Sequence, residues 1–196
     1  MKRVLSVVLA VGLSLGLSAC SPNDDLADQF RSGDNKNYIA GDGSVTEFRN
    51  IETRKTGAAW TSTTAEGKTL SSADLLGNVT VLNFWYAGCA PCRAEAPELD
   101  QLAKEFADQG LIMLGVDLRD SAETALAFNR NFGISYPSVM DAESGDVVLA
   151  YTGIVTPDAV PTTLVLDREG RVAARVIGRI DIKILRTLIR TTLEEK

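Results

Sequence analysis

The stretch Asn83-Phe84-Trp85-Tyr86-Ala87-Gly88-Cys89-Ala90-Pro91-Cys92-Arg93-Ala94-Glu95-Ala96-Pro97 decides how this chain is read. It joins two patterns. Upstream, Val79 to Tyr86 is apolar but for Thr80 and Asn83, as in a strand buried on both faces. Downstream, Ala96, Leu99, Leu102, Ala103 and Phe106 recur at helical spacing, and Gly110 stands where a helix ends. The cysteines therefore sit at a strand-to-helix junction, with Cys89 at the helix entrance. Unpaired N–H groups and the positive end of the helix dipole stabilise a thiolate there. Pro91 suits the first turn, where its missing N–H needs no partner. The two-residue spacing lets the second sulfur approach the first, as thiol exchange requires for release of a mixed disulfide.

Other uses of the pair fit less well. As a staple it closes so small a loop that the chain-entropy gain is only about 2 kcal/mol, against about 4.7 for a 100-residue loop. As half of a metal site it lacks further Cys or His ligands. As a haem attachment site it fails because Arg93 stands where C-x-x-C-H needs histidine. The whole composition narrows the choice further: 196 residues, three cysteines, no histidine and a formal charge of −6. Without histidine there is no Ser-His-Asp or Cys-His nucleophile system, and three thiols cannot fill a four-thiolate zinc site. A copper carrier would call for softer or more numerous ligands, usually including histidine. The net charge argues against a nucleic-acid surface, which needs clustered Lys and Arg. No cofactor and no metal are expected. A redox dithiol is what remains.

The rest of the chain reads as an α/β protein. Ala65-Glu66-Gly67-Lys68 predicts a hairpin turn, and Ser71-Ser72-Ala73-Asp74 a helical turn ending at Gly77. Leu111 to Leu118 is a second buried strand. Ala122, Ala125, Leu126 and Phe132 mark an amphipathic helix closed by Gly133. Thr162 to Leu166 and Arg171 to Ile177 flank the hairpin signal Asp167-Arg168-Glu169-Gly170, and Ile184, Leu185, Leu188, Ile189 and Leu193 lay one apolar face along a final helix. Val45 to Ile51 predicts a short strand. The first crossovers should be parallel and the last hairpin antiparallel.

The N-terminus carries a different message. Lys2 and Arg3 precede fourteen uncharged residues, Val4 to Leu17, too few for a bilayer span of about 20 and suited to a secretion signal. Leu17-Ser18-Ala19-Cys20 resembles the lipobox of bacterial lipoproteins, which implies cleavage before Cys20 and lipid attachment to it. A diacylglyceryl group supplies the two chains that stable anchoring requires. The expected organisation is a signal peptide over 1–19, a lipidated N-terminus and flexible spacer over 20–56, and a folded domain over 57–196. The expected location is the extracytoplasmic side of the cell membrane, where dithiols and disulfides can carry function.

The quoted segment resembles the active-site segment of the TlpA/ResA-like thioredoxin proteins, and Val160-Pro161-Thr162-Thr163 resembles their second signature. The similarity runs from about residue 60 to the end. Residues 111–141 match the extra strand and helix that set this branch apart from plain thioredoxin. The resemblance implies a thioredoxin-like fold, with a central mixed sheet flanked by helices, an N-terminal hairpin and a central strand-helix insertion. It implies an exported, membrane-attached thiol-disulfide oxidoreductase, acting on cysteine-containing exported proteins such as apocytochrome c during cytochrome c maturation. A membrane thiol-reducing transporter would supply the electrons. Carried over residue by residue, Cys89 is the attacking thiol and Cys92 the resolving thiol. Pro161 is a cis-proline facing the disulfide, backbone at Val160 pairs with a partner segment, and Trp85 packs beneath the site. Glu95 matches a glutamate of that segment and would handle protons for Cys92; since Asn83 stands where plain thioredoxins carry a buried carboxylate, any proton relay uses Glu95 or water. The competing readings are a disulfide-forming oxidant of secreted proteins and a redox-silent binding lipoprotein.

Overall fold

The computed structural model describes residues 38–39, 44–155 and 159–195. The expected signal peptide, Cys20 and most of the expected spacer lie outside these residues. Among the described residues nine strands form one sheet in the order β1-β2-β9-β8-β5-β6-β7-β3-β4. They are β1 (Tyr38–Ile39), β2 (Val45–Glu47), β3 (Thr61–Thr64), β4 (Thr69–Ser71), β5 (Val79–Trp85), β6 (Leu111–Asp117), β7 (Ser138–Met140), β8 (Thr162–Leu166) and β9 (Val172–Ile177). Among the described residues four α-helices accompany them: α1 (Ala90–Phe106), α2 (Ala122–Phe132), α3 (Asp146–Ala150) and α4 (Ile182–Glu194). β5 pairs in parallel with β6, and β6 with β7, while β8 joins β5 and β9 antiparallel.

β5 is central for the reason its sequence suggested. All seven of its residues are buried, and alternate side chains serve two different cores. Val79 and Val81 meet Leu99 and Leu102 of α1 and Leu185 and Ile189 of α4. Leu82 and Phe84 point the other way, toward Trp60, Val147 of α3 and Tyr151. The strand therefore holds its C-terminal end, and the loop beyond it, between two packed layers. α1 runs through Pro97 without ending there. α2 stops at Gly133, whose φ of 69° and N–H bond to the carbonyl of Asn129 complete a left-handed cap.

Three features depart from expectation. The strand predicted to reach Ile51 ends at Glu47, because Asn50 caps a 3₁₀ turn over Ile51–Thr53 by accepting the N–H of Glu52. The sheet also begins well before residue 57. β2 pairs with β9, Val45 opposite Val176, and Arg54 is buried in ion pairs with Asp167 and Glu195 at 3.0 and 2.6 Å. Residues 44–56 are thus part of the fold rather than a spacer. Finally, α3 was not predicted. It depends on Asp141, whose two carboxylate oxygens accept the N–H groups of Val147 and Val148 at 2.9 and 3.0 Å.

Candidate active site

Cys89 is the N-cap of α1. Its backbone is extended, and its Sγ accepts the N–H of Cys92 at 3.2 Å. The sulfur thus occupies the place a serine or aspartate oxygen takes in an ordinary cap, at the positive end of a seventeen-residue helix. Cys89 and Cys92 are joined as a disulfide, with Cα atoms 5.3 Å apart. Cys89 keeps 4% of its surface exposed and Cys92 2%, so both cysteines are nearly buried.

The loop before the disulfide is held from β6. Leu118 N–H donates to the carbonyl of Trp85 at 3.0 Å, and Ala87 N–H donates to Asp120 Oδ2 at 2.5 Å. Asp120 and its neighbour Asp117 were absent from the sequence-based list of site residues. Asp117 Oδ1 accepts the N–H groups of Arg119 and Asp120 at 3.0 and 2.9 Å. Burial nevertheless pushes its carboxyl up to about 6, against the pull of those two N–H groups. In sequence the pair reads only as turn chemistry after a strand. Two cations lie over rings near the cysteines: Arg119 over Tyr86 at 4.4 Å and Arg93 over Phe132 at 5.6 Å.

Trp85, Cys89, Cys92, Ala96, Ala125 and Phe128 form one buried cluster. Trp85 meets Phe128 of α2 at 4.4 Å between centroids, and Phe128 stacks on Phe132 at the same spacing. The inserted helix therefore supplies an aromatic wall for the disulfide. Val160 packs partly buried against the same cluster. The Val160–Pro161 peptide bond is cis, and the Pro161 carbonyl accepts the N–H of Gly178 at 2.8 Å.

Glu95 sits on α1 three residues after Cys92 and is 0% exposed. Its Oε1 accepts from Asn83 Nδ2 at 3.0 Å and its Oε2 from Ile180 N–H at 3.1 Å. Asn83 Nδ2 donates as well to Thr163 Oγ1 at 3.1 Å. An amide at position 83 thus fixes the carboxyl rather than replacing it. Burial pushes the Glu95 carboxyl up to about 7, opposed by the Ile180 and Asn83 hydrogen bonds and by the charge of Arg179. A group with that affinity carries or releases a proton near neutral pH.

The chain is similar to known thiol-disulfide oxidoreductases. ResA, a thiol-disulfide oxidoreductase of Bacillus subtilis (strain 168), is 34% identical over 112 residues, which are 57% of this chain and 60% of that protein. The chain thus spans less than two thirds of that relative's length. ResA of Geobacillus thermodenitrificans (strain NG80-2) is 31% identical over 148 residues, 70% of this chain and 82% of the relative. The crystal structure of a secreted thiol-disulfide isomerase from Corynebacterium glutamicum superimposes with a TM-score of 0.72 at 26% identity, covering 82% of this chain and 98% of the other. The fold is thioredoxin-like. The profile of the AhpC/TSA family matches residues 54–175, a range that holds the cysteine junction, the central insertion and the cis-proline, and the chain belongs to that family.

Proposed function

We propose that this protein is a thiol-disulfide oxidoreductase working through Cys89 and Cys92. The observation that carries the reading is the helix-capping sulfur of Cys89, held by the N–H of Cys92 within a closed two-sulfur loop. Reduced, Cys89 is the better nucleophile, since the helix N-terminus and that N–H favour its thiolate. Its sulfur attacks a partner disulfide, forms a mixed disulfide and expels one partner thiolate. Cys92, as thiolate, then attacks Cys89 Sγ and releases the second partner thiolate. The partner gains two electrons and two protons, and the Cys89–Cys92 disulfide is the oxidised product. Glu95 serves as proton carrier for Cys92: it lies one helical turn away and has a proton affinity near neutrality. The cis Val160–Pro161 segment and the aromatic wall would receive an extended partner segment, with backbone pairing at Val160.

The physiological setting is part of the proposal. Lipid attachment at Cys20, outside the described residues, places the domain on the extracytoplasmic face. Among the described residues no helix is long and apolar enough to cross a membrane; the proposed anchor is that lipid. The partners are cysteine-containing exported proteins such as apocytochrome c, reduced with electrons from a membrane thiol-reducing transporter. The ResA relatives, named thiol-disulfide oxidoreductases, support the exchange chemistry of this reading.

The test is trapping in membranes. Cys92→Ser should accumulate mixed disulfides at Cys89, and Cys89→Ser should lose exchange by at least about 10³-fold in rate, as expected when a nucleophile is removed. Apocytochrome c among the trapped proteins supports maturation. Capture of many unrelated secreted proteins instead would establish the oxidant reading. Full exchange by Cys89→Ser would overturn the assigned order of attack.

A further inference from the structure

A small chamber borders Cys92, with about 10 Å³ of space open to the centre of a water molecule. Its lining includes Asn83, Trp85, Cys92, Phe128, Asn129 and Ser138. Among the described residues, three polar atoms of that lining are buried without a protein hydrogen-bond partner: Trp85 Nε1, Asn129 Oδ1 and Ser138 Oγ. Buried polar groups left unpaired are uncommon in native proteins, and three around one chamber call for a shared partner.

Gly115 of β6 shows how closely two of them approach. A Cβ on Gly115 would stand 2.2 Å from Ser138 Oγ and 2.8 Å from Trp85 Nε1. The two atoms are therefore no more than about 5 Å apart, a span that one water bridges. Only a residue without a side chain leaves that space open. The chemistry of the three atoms is complementary. The indole N–H can only donate, the amide oxygen can only accept, and the hydroxyl can do either. A water accepts from Trp85 and Ser138 and donates to Asn129, which leaves it one hydrogen. The volume holds one such molecule and no more. Cys92 lines the same chamber.

We infer that the chamber is a site for a single water whose remaining hydrogen is donated to Cys92 Sγ once the disulfide opens, stabilising the resolving thiolate. Asn129 and Ser138 are then positioning residues, acting on the sulfur through that water. No bond is made or broken at the site. Its effect is to favour the reduced pair, and so to make the protein a weaker reductant than its cysteine motif alone would give. The inserted helix α2 and strand β7, which supply Asn129 and Ser138, thereby gain a part in setting the redox poise. The inference rests on the exchange reaction proposed above.

The test uses Asn129→Leu and Ser138→Ala in the otherwise intact protein, equilibrated with glutathione redox buffers. Each variant should shift the exchange equilibrium about tenfold toward the disulfide, equivalent to about 30 mV for this two-electron couple. Each should also slow the release of a preformed Cys89 mixed disulfide by Cys92. A purely structural role would lower the melting temperature and leave the equilibrium of the folded protein unmoved, and that result would overturn the inference. Ser138→Ala removes a single oxygen and carries the test alone if Asn129→Leu does not fold. Wild-type protein reports on the underlying reading separately. If it fails to exchange, the proposed function falls; if it exchanges while both variants match it, only the water site falls.

Discussion

At position 95 two demands on one carboxyl compete. Two N–H donors favour the anion, but complete burial favours the acid, and burial wins. The consequence for stability has a definite sign. The folded-state affinity, about 7 against an ordinary 4.5, means the native state holds a proton that the unfolded chain has released between those values. The stability linked to that proton is complete below pH 4.5 and is lost as pH rises through 7. Its size is on the order of 3 kcal/mol. Glu95→Gln cannot ionise, so wild-type stability relative to this variant should fall by that order between pH 4.5 and 7.5. Urea unfolding at several pH values measures it, and a difference flat with pH would refute the assignment. Asp117 acts in the same direction up to about 6 but is common to both proteins and cancels. The place of Glu95 was legible, since a three-residue step along a helix puts it on the side of Cys92. Its donor Ile180, 85 residues away, was not. The same holds for Asp120, which meets Ala87 only because β5 and β6 lie side by side.

Among the elements, those with a long period were readable and the short ones were not. β5, β6, α1, α2 and α4 each span at least seven residues, long enough for burial on one face or two to leave a pattern. α3 has five residues, too few for any helical repeat to show. It depends on one side chain instead, because Asp141 satisfies two of its orphan N–H groups. Asp141→Ala should cost about 1–2 kcal/mol, the usual range for a lost cap. The shift in denaturant midpoint should come with an unchanged slope. Since α3 contributes Val147 to the core opposite α1, this loss should loosen that face without moving the cysteines. β2 escaped full recognition for a related reason. Three residues carry little pattern, and their place is fixed by β9, which lies far along the chain.

At the scale of the whole fold, Arg54 ties distant parts of the sequence together. Its side chain is 1% exposed and bonds Asp167 and, through both terminal nitrogens, Glu195. No sequence pattern marks such a residue, since its partners stand 113 and 141 positions away. Arg54→Met leaves Asp167 buried with Arg171 as its remaining cation. Breaking one side of a buried pair costs about 3–5 kcal/mol, and the surviving Arg171 contact places the loss at the lower end, about 3. A melting curve of the purified domain checks it, and a stability within 1 kcal/mol of wild type would show that the tie is dispensable. The sheet ends offer a different consequence. Among the described residues its outermost strands, β1 and β4, have two and three residues, so each presents only a short run of edge backbone there. For a protein proposed to handle incompletely folded clients, such short edges leave little template for aggregation, and the proposed pairing at Val160 would take a client's extended segment beside the sulfurs rather than at the rim.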